Sequence, residues 1–267
     1  MILLEGGNVF KDANKQPSTV RINRVDVPTT VRWLEQVTGL DLMGEMVGST
    51  GQRDTSGDID LALDANVIKK ETLINVLANW CRSQGIPEDQ IMNRKAKGKN
   101  PAMLDGWVDQ TGIEVHFKTP INGNAKNGFV QTDFNFLDKV KWSKWMLAAM
   151  PADSQFKGME RAVLFNSIGK TMGVKVSVNS GVHDRLTNEL VTDDPAQMAQ
   201  MFLGPQGTAK DLASVESTIA ALRNDPKRNE KLHDFAEYLT KQGRSLPTLE
   251  ASAHPTEWFR HLSNKLR

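Results

Sequence analysis

The chain has a single cysteine, Cys81, among 267 residues, almost no net charge, and no long apolar run. One cysteine excludes an internal disulfide and cannot build a cysteine zinc site. Lying between Trp80 and Arg82 in a helical pattern, it reads as a half-buried thiol rather than a nucleophile. A net charge of +1 gives no global pull toward nucleic acid or lipid headgroups, so partner choice must come from local patches. No stretch approaches the ~20 apolar residues of a membrane span. The opening MILLEGGNVFKD is too short and too soon acidic for a signal peptide, and the expected location is the cytoplasm. With 39% hydrophobic and 24% charged residues, the chain can bury a good core in one or two domains.

The most informative stretch is VGSTGQRDTSGDIDLALD, residues 47–64. Side chains alternate along a strand, so Asp58 and Asp60 share one face while Ile59, Leu61 and Leu63 point into a core. Two carboxylates on one sheet edge suit Mg²⁺, which takes a few hard oxygens plus substrate phosphates. Gly48 would let the backbone approach a triphosphate closely, and Ser49 would add a hydroxyl at the start of a short helix, where free N–H groups favour anions. Arg53 could reach the same phosphates. A lone Asp-x-Asp is most often a solvated strand end, and a lone Gly-Ser a turn. Their combination at this spacing is far more specific.

Periodicity gives the rest of the outline. Residues 28–38 predict a helix with proline near its start and Gly39 as its stop. Strands are expected at 42–47 and 58–63, and a covering helix over 67–84. Residues 111–136 read as two strands joined by an Asn/Gly-rich loop, with Glu114 on the first and Asp133 on the second. Either acid could supply a third carboxylate. His116 alternates with Glu114 and could pair with it. The basic run NRKAKGKN, 93–100, is an exposed loop or a track for a nucleic-acid backbone. A helix over 156–170 would present Lys157, Arg161 and Lys170, with Lys170 better suited to a salt bridge. A hairpin-like stretch follows from Gly181, then a helix start at 193–195. Gly204-Pro205 marks a boundary before an all-helical tail. There, helices are expected at 211–223 and 228–242, and a last one from Pro255 carries Trp258, Phe259 and Leu262 as a packing face.

The Gly-Ser turn followed by Asp-x-Asp resembles the signature of the DNA polymerase beta nucleotidyltransferase superfamily, a pattern also similar to small palm-containing bacteriophage proteins, which would act in the host cytoplasm. The resemblance covers roughly 42–203. It implies an α+β fold: a nucleotidyltransferase palm with a mixed β-sheet and N-terminal helix over 1–150, a thumb-like region over 151–204, and a helical C-terminal extension over 205–267. It also implies two Mg²⁺ or Mn²⁺ ions held by three carboxylates, and attack of a hydroxyl on the α-phosphate of a nucleoside triphosphate. By that likeness Asp58 and Asp60 would bridge both ions, Asp133 would be the third ligand, and Gly48, Ser49 and Arg53 would grip the triphosphate. The 156–170 segment matches a family helix of the form F-x-x-x-x-R-x-x-x-x-x-x-x-G through Phe156, Arg161 and Gly169, which would bring Lys157 and Arg161 near the nucleotide. The sequence departs from the polymerases at 150–154, which lack the aromatic-Thr-Gly-Ser loop, and at Lys157, where they carry Asn. The implied activity is transfer of a nucleoside monophosphate to a hydroxyl, a nucleic-acid 3′ end first. A protein or small-molecule acceptor, or a non-catalytic nucleic-acid-binding palm, are the alternatives.

Overall fold

The computed structural model describes residues 8–12, 14–93 and 105–247. The fold is α+β, with a five-stranded mixed sheet, smaller antiparallel sheets and eight α-helices among the described residues. The chain forms two compact units, Met1–Ala149 and Met150–Arg267. The segments expected as thumb-like region and helical extension therefore share one unit.

In the first unit, a short ladder pairs β1 (Ile22–Asn23) with β3 (Thr55–Ser56). Helix α1 (Val27–Thr38) begins with Pro28 in its first turn and stops at Gly39, whose φ of 71° is the left-handed conformation glycine tolerates. The main sheet has the order β2 (Met46–Val47), β4 (Asp58–Asp64), β7 (Phe129–Leu137), β6 (Glu114–Pro120), β5 (Val108–Thr111). Only the β4–β7 pair is parallel. The strand expected over 42–47 is cut to two residues, because a 3-10 turn occupies Met43–Glu45. The expected hairpin is present as β6 and β7, joined through two 3-10 turns.

One face of the sheet is apolar. Ile59, Leu61, Val115, Phe117 and Phe134 are fully buried there against Val31 and Leu34 of α1 and Leu73 and Leu77 of α2 (Lys70–Ser83). Burying each such side chain contributes about 1.5–3 kcal/mol, so this layer fixes the strand register. Trp33, Trp80 and Phe117 stack and meet edge-on within it. Cys81 lies in the same layer with no exposure, not half-buried, and burial pushes its thiol up to about 12. Helix α3 (Glu88–Ile91) adds Ile91 to the layer. Because the apolar residues take one side of each strand, alternation sends Asp58, Asp60, His116, Gln131 and Asp133 to the other. At the far end of that polar face, Ala62 and Leu137 pack with Val140 of α4 (Val140–Met146).

The second unit is built on α5 (Gly158–Lys170), packed on α7 (Val215–Ala221) and α8 (Arg228–Thr240). A three-stranded antiparallel sheet, β8 (Val174–Ser177), β9 (Gly181–Asp184) and β10 (Leu190–Thr192), includes the expected hairpin. Helix α6 (Pro195–Leu203) starts where Asp194 accepts a hydrogen bond from the Ala196 N–H. The tail helix patterns appear as α7 and α8; the basic run beyond Asn93 and the pattern from Pro255 lie outside the described residues.

Candidate metal centre

Asp60 pairs with Asp133 across the parallel strands, and Asp133 pairs in turn with His116 across the antiparallel ones. The row continues from His116 to Asp109. Two residues along, Asp58 pairs with Gln131, and Gln131 with Lys118. The register thus gathers the acids from distant parts of the chain onto one polar surface.

Asp58, Asp60 and Asp133 each offer a carboxylate oxygen such that all three lie within 4.8 Å of one another. Asp58 and Asp60 are half-buried and Asp133 is buried. Burial first, and then the charge of Asp133, lifts Asp58 to about 6, with Arg21 pulling the other way. Asp60 is held well above the usual carboxylate range by burial and by Asp58 and Asp133. Like charges so placed favour the neutral acid unless a cation intervenes. The donor set is all hard oxygen, the ligand type that cations such as Mg²⁺, Mn²⁺ or Ca²⁺ take.

Glu114 stands outside the trio. It pairs across the sheet with Asn135, two residues from the His116 pair. Burial lifts its carboxyl above the usual range, while His116 pulls it down. The expected His116–Glu114 pair is a secondary contact at 3.6 Å. The imidazole is instead held by Asp133 through Nδ1 at 2.7 Å and by the Thr111 hydroxyl through Nε2 at 2.7 Å. Burial disfavours the imidazolium, but the hydrogen bond and charge of Asp133, with Glu114 and Asp109, outweigh it and raise His116 above the ordinary histidine range.

No protein-family model matches the chain, and no curated protein matches it. The assignment of chemistry rests on the residues themselves.

The Gly-Ser turn adjoins the acids in a form different from the one expected. Residues 48–54 make turns and bends without a helix, so Ser49 has no helix N-terminus to occupy. Gly48 already gives its N–H to the Leu147 carbonyl. Its value lies elsewhere: φ is 65°, and a Cβ would stand 2.9 Å from Asp60 Oδ2. Only glycine lets the turn pass that close to the carboxylate. The following Thr50 is buried, and its hydroxyl accepts the Asp60 N–H at 2.9 Å, tying the turn to β4 beside the acids. Arg53 is exposed on the same turn.

Lys157 and Arg161 belong to the second unit. Lys157 is exposed at the start of α5. Arg161 is only 2% exposed; its guanidinium donates to the Ala213 carbonyl at 2.9 Å and lies over the Phe165 ring. Burial brings it down to about 10. It is an internal strut of that unit rather than an open anion site. Lys170 forms the expected salt bridge, to Asp234 at 2.7 Å.

Three residues escaped the sequence reading. Gln131 donates to both oxygens of Asp133, Thr50 binds the Asp60 backbone, and Arg21 is fastened to Thr55 by its Nε and Nη2 while its charge acts on Asp58. The i, i+2 spacing of Gln131 and Asp133 was the one available signal.

Proposed function

We propose that the protein is a Mg²⁺-dependent nucleotidyltransferase of the polymerase-beta type, moving a nucleoside monophosphate from a nucleoside triphosphate to a hydroxyl acceptor. The observation that carries the reading is the trio of carboxylate oxygens within 4.8 Å, joined to a Gly-Ser turn whose glycine cannot carry a side chain beside Asp60. Asp58, Asp60 and Asp133 would hold the ions. Bound Mg²⁺ supplies neutralisation of the triphosphate and a lowered pKa for the acceptor hydroxyl, the chemistry of metal-assisted phosphoryl transfer.

The chain's own groups then have separate tasks. Ser49 and Arg53 on the turn offer a hydroxyl and a cation to the phosphates, and Arg21 adds positive charge on the Asp58 side. Asp133 would orient the acceptor hydroxyl and receive its proton at a carboxylate oxygen. A nucleic-acid 3′ end is the acceptor we favour, from the likeness of the 156–170 segment to the family's helix. A second reading, a protein or small-molecule hydroxyl, is favoured by the burial of Arg161, which withdraws the cation that the polymerase motif would offer to a template.

The test is label transfer. Purified protein is incubated with Mg²⁺ or Mn²⁺, each labelled nucleoside triphosphate, and single-stranded, primed or tRNA-like acceptors, with protein alone as a further arm. Extension of an oligonucleotide supports the favoured reading, and label on protein supports the second. Metal-dependent nucleotide binding without any product would overturn both and leave a binding module.

A further inference from the structure

Asp133 is surrounded by repulsion on one side and by donors on the other. Asp58 and Asp60 bring their oxygens within 4.8 Å of its own, so an unrestrained carboxylate would swing away from them. Gln131, two residues back on the same strand and face, reaches both Asp133 oxygens from one amide nitrogen, Oδ1 at 2.9 Å and Oδ2 at 3.1 Å. His116, directly opposite on β6, reaches Oδ1 at 2.7 Å.

The orientation of each supporting group is itself determined. The Gln131 Oε1 accepts the backbone N–H of Val9 at 2.9 Å, so its NH₂ must face Asp133. Val9 is fixed by its neighbours: Phe10 is fully buried, and Asn93 Nδ2 bridges the Val9 carbonyl and Asp109 Oδ2, each at 3.2 Å. On His116, a carboxylate partner at Nδ1 can only accept, so Nδ1 carries a proton; in the neutral ring Nε2 then accepts from the Thr111 hydroxyl. Gln131 and His116 are each 3% exposed, which keeps them off any substrate.

We infer that Gln131 and His116 are positioning residues that hold the Asp133 carboxylate against Asp58 and Asp60, where it would serve a bound cation. This rests on the metal-centre reading above. Hydrogen bonds to a ligating carboxylate of this kind typically govern metal affinity by about 10–100-fold.

The experiment measures Mn²⁺ binding to the full-length protein, without nucleotide, by the electron paramagnetic resonance signal of free Mn²⁺. Gln131→Met and His116→Phe are each expected to weaken binding about 10–100-fold. The discriminating pair is His116→Asn and His116→Gln. The Asn amide can stand where Nδ1 stands and should largely restore affinity, whereas the Gln amide extends past it and should not. A role in packing alone would make these two polar variants equivalent. Unchanged affinity in Gln131→Met and His116→Phe, or equal weakening in His116→Asn and His116→Gln, overturns the inference. Asp58→Asn is the reference: if it too binds Mn²⁺ as the unaltered protein does, the metal-centre reading fails first, and if it alone loses Mn²⁺, only the positioning role is lost.

Discussion

Asp60 and Asp133 stand level with each other on adjacent parallel strands, and both point to the polar face of the sheet. A strand pair that sets two acids side by side gives up stability for as long as both are charged. Here a third, Asp58, joins them. The arrangement makes physical sense as a place where a cation is expected, and it yields direct tests.

Replacing Asp60 with Asn removes one charge and keeps the shape. The metal-free protein should become more stable, its Tm rising by about 2 to 4 °C for each kcal/mol of repulsion relieved in a chain of this size. Nucleotidyl transfer should fall by on the order of a thousandfold or more. Scanning calorimetry in EDTA and a label-transfer assay measure the two. Retained turnover in an Asp58→Ala, Asp60→Ala double variant would refute the metal assignment.

Acidification should stabilise the metal-free protein. Asp58, lifted to about 6, and Asp60, held well above the usual carboxylate range, bind protons in the fold at pH values where the unfolded chain has lost them. The native state therefore carries the extra protons, and stability rises as pH falls from about 7 toward about 5. His116, raised by its partners, contributes in the same direction: its stabilisation is present below the ordinary histidine range and is lost as pH climbs through its folded value. Added Mg²⁺ should stabilise more at high pH, where it meets no competing protons. Melting curves from about pH 5 to about pH 8, with EDTA and with Mg²⁺, test this; a Tm in EDTA that climbs with pH would contradict it.

At Gly48, an alanine would meet Asp60 Oδ2 at 2.9 Å from a backbone already at φ 65°. The left-handed conformation alone costs about 1–2 kcal/mol for a residue with a Cβ. Gly48→Ala is expected to lower the urea midpoint and, by pushing the carboxylate aside, to weaken Mn²⁺ binding. Loss of stability with unchanged Mn²⁺ affinity would mean that the close approach serves the turn and not the ligand.

Glu114 and Asp133 can be separated in the same assay. Asp133→Asn should abolish tight Mn²⁺ binding, since its oxygen completes the trio. Glu114→Gln should leave affinity close to that of the unaltered protein. The reverse ranking would move the third ligand to β6.

The parts legible in the sequence were those governed by period and punctuation. Strand β4 showed its alternation, α1 its proline and glycine ends, and the β6–β7 hairpin its Asn/Gly loop. Asp58, Asp60 and Asp133 were named from motif and likeness, and the register brings them together. What escaped depends on tertiary pairing. That the Gly48 N–H would go to Leu147 and that Gln131 would be aimed by the Val9 backbone are settled between residues remote in sequence. Arg161 carries the same lesson: a helix position says which residue turns up on a face, and packing decides whether that face sees water.

The parallel β4–β7 contact has a kinetic meaning as well. Two parallel strands cannot be joined by a tight turn, and here α2, α3, β5 and β6 all intervene in the chain. Closing so long a loop is a slow, entropically opposed event, and the row of acids exists only once it has closed. Cation binding should therefore follow the completion of this unit rather than guide it, making the rate at which Mn²⁺ capture appears during refolding a clock for the docking of β4 on β7.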